Sequence, residues 1–383
     1  MVRAGSRLKD RTGGFVPMLE RRGSPDLGIL FTVLTLLGLG VIMVLSSSSI
    51  RALWQYNDSY FYLKRQLAWS AIGLAAMVLV MNINYWHLQR WAKGLMLLGL
   101  AGLVVVLVPG VGIEYHEARR WLGLGSISFQ PSELMKLIFV IFLADHLTRI
   151  GDRVTDFFRG IVPIVVILGV VFLLILLEPD LGTAVAITGT VAVMLFAAGS
   201  RLLHLFLLGA GSVPLLLVAV FSADYRRRRF FAFLDPWSER LGSGYHIIQS
   251  LYALGSGGIF GVGLGRSRQK WFYLPEQHTD FIFAVLAEEL GFLGGVTVIV
   301  LFFFLAWRGY RVALTIPDRF GSLLAVGITT MITLQALINI GVVTGSIPIT
   351  GIPLPFLSYG GSSLVFTLTG VGILLNISKH TVH

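Results

Sequence analysis

Asp280 opens a long apolar run in this chain, and Glu288 and Glu289 sit inside it, in Thr279-Asp-Phe-Ile-Phe-Ala-Val-Leu-Ala-Glu-Glu289. Ionised carboxylates in a lipid-facing segment cost roughly a few kcal/mol each, so they mark places where a chain gains something else. A carboxylate held partly out of water is a stronger base than one in solvent, and could take a proton from a weakly acidic hydroxyl. Asp280 is the candidate for that work. The plainer alternatives are a helix N-cap or an acid favoured in a first helical turn, and Thr279 could cap instead. Glu288 and Glu289 lie about two turns deeper and are expected to be paired or hydrogen-bonded groups that stabilise the structure.

Two other clusters carry charge into apolar sequence. Glu133 and Lys136, in Phe129-Gln-Pro-Ser-Glu-Leu-Met-Lys136, share one helix face at i, i+3, and Pro131 suits a helix start. They read equally as a structural ion pair or as substrate contacts. Asp180, in Glu178-Pro-Asp-Leu-Gly-Thr183, could line a site or simply end a turn. The stretch Gly345-Ser-Ile-Pro-Ile-Thr-Gly-Ile-Pro-Leu-Pro-Phe-Leu-Ser-Tyr-Gly-Gly-Ser-Ser363 is a shaped loop rather than a helix. Its hydroxyls, Ser358 among them, could meet sugar or phosphate, or the loop could be a plain connector. The glycine-rich 255–265 stretch follows no strand and lacks the lysine spacing of a phosphate-binding loop, so it is not read as a nucleotide site.

The elements that must position these residues are membrane helices. The chain is 55% hydrophobic and 13% charged over 383 residues, with a mean hydropathy of +0.80. That is too much apolar surface for a soluble globule to hide. The fold class expected is an all-α polytopic membrane protein of about ten transmembrane helices, with a large extracytoplasmic loop between spans seven and eight. The spans fall at roughly 26–46, 62–82, 92–109, 132–147, 161–178, 182–199, 203–222, 280–306, 320–343 and 361–377. On a continuous eighth helix of about 100° per residue, Ala284, Ala287, Gly291 and Gly294 would share the face of Asp280, a small-residue stripe for another helix.

An even number of spans places both termini on one side. With the N-terminus inside, short inner segments hold 16 Lys and Arg against 5 in the short outer ones (Arg51, Lys64, Arg65, Arg119 and Arg120). That bias puts both termini in the cytoplasm. The organisation expected is a basic tail over 1–25, a ten-span domain over 26–378 whose large external loop is 223–279, and a short tail over 379–383. A cleaved signal peptide is not expected. Net charge is +10, but in a membrane chain it follows the topology and is no sign of nucleic acid. The external loop itself holds 8 basic residues against 4 acids, a surface that would attract an anion, and parts of it have the pattern of short helices lying on the bundle. Without cysteine, disulfides and thiolate metal sites are excluded.

Six stretches in order resemble the SEDS family of peptidoglycan polymerases (RodA, FtsW, SpoVE) over roughly residues 25–378. They are 129–136, Pro179-Asp-Leu-Gly-Thr183, Gly244-Tyr-His-Ile-Ile-Gln-Ser250, Gly263-Leu-Gly-Arg-Ser-Arg-Gln-Lys270, Leu274-Pro-Glu-Gln-His-Thr-Asp-Phe-Ile-Phe283 and Pro353-Leu-Pro-Phe-Leu-Ser-Tyr-Gly-Gly-Ser-Ser363. The 263–270 form, with Asp235-Pro-Trp237 ahead of it, is most like the FtsW and SpoVE branch.

The resemblance implies a glycosyltransferase that polymerises lipid II outside the bacterial cytoplasmic membrane, extending a polyprenyl-pyrophosphate-linked glycan. For the division branch the place of action would be the septum. Asp280 matches the family's essential acid, and Glu133, Lys136 and Asp180 match residues lining its central cavity. Arg120, Lys136, Lys270 or other basic residues of 223–279 would meet the leaving pyrophosphate, or a divalent cation (Mg or Mn) would. No other cofactor is implied. The implied partner is a class B penicillin-binding protein, the transpeptidase, with membrane lipids around both. Two other classes stay open on the sequence: a lipid II flippase, and a non-catalytic scaffold for the transpeptidase.

Overall fold

The computed structural model describes residues 23–381 apart from 116–117, 125–126 and 272. The basic tail expected over 1–25 therefore lies almost wholly outside the described residues, as do the last two of the 379–383 tail. Ten long helices stand where the apolar runs lie: α1 (Leu27–Tyr56), α2 (Phe61–Asn82), α3 (Trp86–Leu107), α4 (Pro131–Ile150), α5 (Val162–Leu177, entered through a π turn at Phe157–Ile161), α6 (Leu181–Ala197), α7 (Leu202–Phe221), and, beyond the large loop, α10 (Ile282–Thr315), α11 (Arg319–Val343) and α12 (Gly361–Ser378). The loop carries two shorter helices, α8 (Asp224–Leu234) and α9 (Tyr245–Ser256).

Eight of the ten are long and apolar enough to cross a bilayer. The other two are α6, at 17 residues, and α4, which carries Glu133, Lys136, Asp145 and Arg149. The chain is thus a multi-pass membrane protein. Its centre is α11 and α12, each 78% buried, while α7 at the rim is only 6% buried. Small residues make the tight centre possible: a Cβ on Gly372 of α12 would lie 2.5 Å from the Met77 carbonyl of α2.

Two features depart from expectation. Between α3 and α4 the chain forms a small antiparallel sheet, β1 (Gly112–Tyr115), β2 (Ala118–Leu124) and β3 (Ile127–Phe129), in the order β1-β2-β3. This segment is too short to cross the membrane, so it satisfies its backbone by pairing with itself.

The second is α10, which is not continuous. Gly291 has φ 71 and ψ −170, and the helix breaks there. The face predicted to receive another helix instead receives backbone from the 257–263 turn. A Cβ at Gly291 would lie 2.2 Å from the Gly261 nitrogen, and one at Gly257 2.1 Å from the Ala287 carbonyl. The break is closed by Val262 and Gly263 amides donating to the Glu288 and Glu289 carbonyls (both 3.0 Å), and by Phe292 and Leu293 amides donating to Gly258 and Ile259 (2.8 and 3.2 Å). Non-helical backbone at this depth is tolerated because it is buried in protein with its polar groups paired.

Candidate active site

Asp280 lies just before α10, whose N-cap position is Phe281, with no side-chain cap bond. The N-cap reading of Asp280 is therefore set aside. Its carboxylate accepts no hydrogen bond among the described residues, and its side chain is only partly buried. What is fixed is its backbone. The Asn339 amide of α11 donates to the Asp280 carbonyl (2.7 Å) and to the Ile352 carbonyl (2.8 Å). Ser358 donates to the Thr279 carbonyl (2.6 Å) and accepts from the Leu354 amide (2.8 Å), and the Tyr359 amide donates to the His278 carbonyl (2.8 Å). The proline-rich 345–360 loop is thus folded around residues 278–280. Gly351 (φ 79) brings its backbone close: a Cβ there would lie 3.7 Å from Asp280 Oδ2.

The charges around Asp280 come from four segments. Burial, then repulsion from Glu276, pushes the Asp280 carboxyl up to about 7; Arg229 and Arg120 act against this, and Asp180 adds slightly to it. Glu276 is 3.8 Å from Arg51 and accepts from the Thr279 hydroxyl (3.1 Å). Arg120, on β2, donates through Nε to the Glu178 carbonyl (2.8 Å) and through its guanidinium to the Pro179 carbonyl. Asp180 caps α6, accepting from the Thr183 amide (3.1 Å) and hydroxyl (2.9 Å), and it also accepts from Gln130 (3.1 Å). It therefore does end a turn, at the edge of the group around Asp280. Burial, then Asp180, pushes neighbouring Glu178 up to about 8. His278 packs against the Tyr62 and Tyr359 rings, and burial holds it down to about 4, so it is neutral beside Asp280.

Arg229 was not singled out from the sequence. It sits on α8 with its guanidinium 5.7 Å from the Tyr225 ring centroid, its charge held against Asp280. The helical period contained the signal. Tyr225, Arg229 and Ala232, the buried residue of α8, are spaced i, i+4, i+7 on one face, whereas Arg227 and Arg228 are exposed.

The remaining candidates lie elsewhere. Glu133 and Lys136 form a buried ion pair (2.9 Å), and Lys136 also donates to Gln335 of α11 (2.6 Å), whose own amide donates to the Pro353 carbonyl (2.9 Å). They brace the loop that cradles Asp280. Lys270 is buried, bonded to the Gly265 carbonyl and 3.6 Å from Glu289. Glu288 and Glu289 are fully engaged, as expected of structural groups. Glu288 accepts from the Ser267 hydroxyl and the Arg268 amide (3.0 Å), and Glu289 accepts from the Ser46 hydroxyl (2.7 Å) and the Ser267 amide (3.3 Å).

An acid with raised proton affinity, two guanidinium groups facing it and a rigid backbone cradle could deprotonate a hydroxyl and stabilise a leaving phosphate. The chain is similar to known proteins over nearly its whole length. Stage V sporulation protein E of Bacillus subtilis is 51% identical over 364 residues, which is 95% of this chain and 100% of that one. The probable peptidoglycan glycosyltransferase FtsW of Trichlorobacter lovleyi is 44% identical over 355 residues, 92% of this chain and 93% of its own length. Among solved structures, a chain from a peptidoglycan synthase complex that coordinates polymerization and crosslinking superposes with a TM-score of 0.76 at 33% identity, covering 92% of this chain and 97% of that one. The rod shape determining protein RodA of Thermus thermophilus superposes with a TM-score of 0.70 at 30% identity, covering 94% and 98%. Residues 27–383 match the sequence pattern of the cell cycle proteins FtsW, RodA and SpoVE, and the chain belongs to that family.

Proposed function

We propose that this protein is a peptidoglycan glycosyltransferase that polymerises lipid II at the outer face of the bacterial cytoplasmic membrane, with Asp280 as general base. The observation that carries the reading is Asp280 itself: a carboxyl raised to about 7, unbonded, facing Arg229 and Arg120 beside a loop rich in hydroxyls. Asp280 takes the proton from the C4 hydroxyl of the incoming N-acetylglucosamine. The oxygen attacks C1 of the N-acetylmuramic acid on the growing chain, the O4–C1 bond forms, and the bond from C1 to the polyprenyl pyrophosphate breaks. The donor linkage is α and the product β, so one in-line displacement with inversion accounts for the stereochemistry. Pyrophosphate leaves without an acid once its charge is met, so one carboxylate suffices, unlike the pair in glycoside hydrolysis.

Arg229 and Arg120 supply that charge. Arg120 holds the Glu178 and Pro179 carbonyls through part of its guanidinium, which fixes its position beforehand. Lys270 and Lys136 serve the frame rather than the substrate, and Ser358 holds residue 279 in place. Among the described residues no three His, Asp or Glu side chains come together as a metal-binding group. A magnesium or manganese ion would have to sit on one or two carboxylates plus the substrate pyrophosphate, the usual manner for magnesium. Both termini are assigned to the cytoplasm on the distribution of basic residues. The partner that fits is a transpeptidase of the class B penicillin-binding type. Purified protein supplied with labelled lipid II should form glycan polymer, and Asp280→Asn should form it at least about a hundredfold more slowly; polymer made equally well by the variant would overturn the assignment.

A further inference from the structure

Glu288 and Glu289 are buried carboxylates with no part in the chemistry above, and the glycine-rich 255–265 stretch has no nucleotide to hold. The fold brings the two together. The 258–263 backbone is sewn across the break in α10, and the chain then returns past Ser267, whose hydroxyl and amide donate to Glu288 and Glu289. Lys270 Nζ stands 3.6 Å from Glu289, and the Lys270 amide donates to Ser267 Oγ (3.3 Å). From there the order passes toward Asp280. The Gln277 amide donates to the Lys270 carbonyl (3.1 Å) and to the Ser47 carbonyl of α1 (2.7 Å), next to the Ser46 that donates to Glu289. The segment 267–280 is therefore fixed to α10 at both ends, covalently through Phe281 and by the two carboxylates about two turns below.

We propose that Glu288 and Glu289 are positioning residues that act through Ser267, Lys270 and Gln277 to hold Asp280 at its protein-lined place. The inference rests on Asp280 being the base. Two adjacent buried acids are costly, and their polar partners here come from the 267–270 turn and from α1, the two segments Gln277 also bonds. If the clamp is released, the 271–280 segment gains freedom and Asp280 gains water, with Glu276, Arg229, Arg120 and Asp180 no longer held at their set places around it.

The test uses the purified full chain with labelled lipid II, measuring kcat, KM and the pH profile of kcat for Glu288→Gln and for the milder Ser267→Ala. Monodispersity and melting temperature are recorded for each. The expected result for each variant is a fall in kcat of about tenfold or more with KM changed less than threefold, and an acid limb displaced to lower pH by at least half a unit. Ser267→Thr, which keeps the hydroxyl, should restore the parent limb. A loss of active protein alone scales the profile without moving it, so reduced activity with an unmoved limb in folded Ser267→Ala overturns the proposal, as does unchanged kcat. If Glu288→Gln fails to fold, Ser267→Ala decides. Failure of the underlying reading looks different: Asp280→Asn would remain active, or the parent would lack the acid limb.

Discussion

The Asn339 side chain donates to the main-chain carbonyl of Asp280 at 2.7 Å and, with the same amide nitrogen, to Ile352 at 2.8 Å. One residue of α11 thus joins the proposed base to the loop that covers it. Four residues earlier on the same face, Gln335 receives Lys136 and donates to Pro353. The helical i, i+4 repeat places two amides in line, so α11 presents a ladder on which both the 345–360 loop and residue 280 are hung.

Asn339→Ala leaves the buried Ile352 carbonyl and the partly buried Asp280 carbonyl without this donor, at a cost of about 1–3 kcal/mol for the buried one and less for the other. Because one of them belongs to the residue that must be aligned, we expect kcat to fall by roughly tenfold to a hundredfold with KM nearly unchanged. Steady-state polymerisation kinetics check this, and a rise in KM with normal kcat would point to a substrate contact instead.

The pH dependence follows from the raised proton affinity of Asp280. Only the ionised form is a base, so activity should rise with pH through about 7 and be lost below it. Asp280→Asn should reduce turnover by about 10²–10⁴-fold. For stability the sign is opposite. The folded state raises this carboxyl above its unfolded value, so the associated stabilisation is present at low pH and is lost as pH rises toward 7. At pH 8 the asparagine variant, which never ionises, should melt no lower than the parent. Thermal melting at pH 5 and pH 8 compares the two.

Arg229 opposes the rise at Asp280 and, in the proposed mechanism, meets the charge of the leaving pyrophosphate. Arg229→Gln should therefore do two things at once. Turnover should fall by about a hundredfold through loss of charge stabilisation. The acid limb of the pH profile should move upward, because a cation that favours the ionised carboxylate is gone. Arg229→Lys should keep the limb near its original place while recovering only part of the rate, since an ammonium lacks the planar fork that grips phosphate.

Much of this was legible in advance, for reasons particular to membranes. A bilayer dictates about 20 apolar residues per span, so helix positions such as α2 and α11 appear within a residue or two of the expected runs. Asp280, Glu133 and Lys136 stood out because charge is conspicuous in apolar sequence. Long-range placement was not legible. The period of α8 puts Arg229, and not Arg228, on its buried face, but nothing local tells that this face turns toward residue 280. Gly291 in an apolar run allows either a continuing helix or a break, and only the returning 258–263 backbone decides between them. Lys270, in a basic external stretch, pointed toward an anionic substrate; the Glu289 carboxylate buried in α10 and the Gly265 carbonyl claimed it first.

The Glu133–Lys136 pair separates a framing role from a substrate contact. Both side chains are about 4% exposed, so removing one partner strands the other charge in the bundle. Lys136→Met should cost about 3–5 kcal/mol, as should Glu133→Leu. Replacing both removes the stranded charge, and the double variant should recover most of the stability of the parent. It would not recover the bond from Lys136 to Gln335, through which α4 steadies Pro353 and the loop over Asp280. The double variant should accordingly fold well, bind lipid II with a KM near that of the parent, and turn over more slowly. Melting temperature with kcat and KM on the three variants measures this. A double variant that folds but has lost substrate affinity by more than tenfold would return these two residues to the substrate-binding surface.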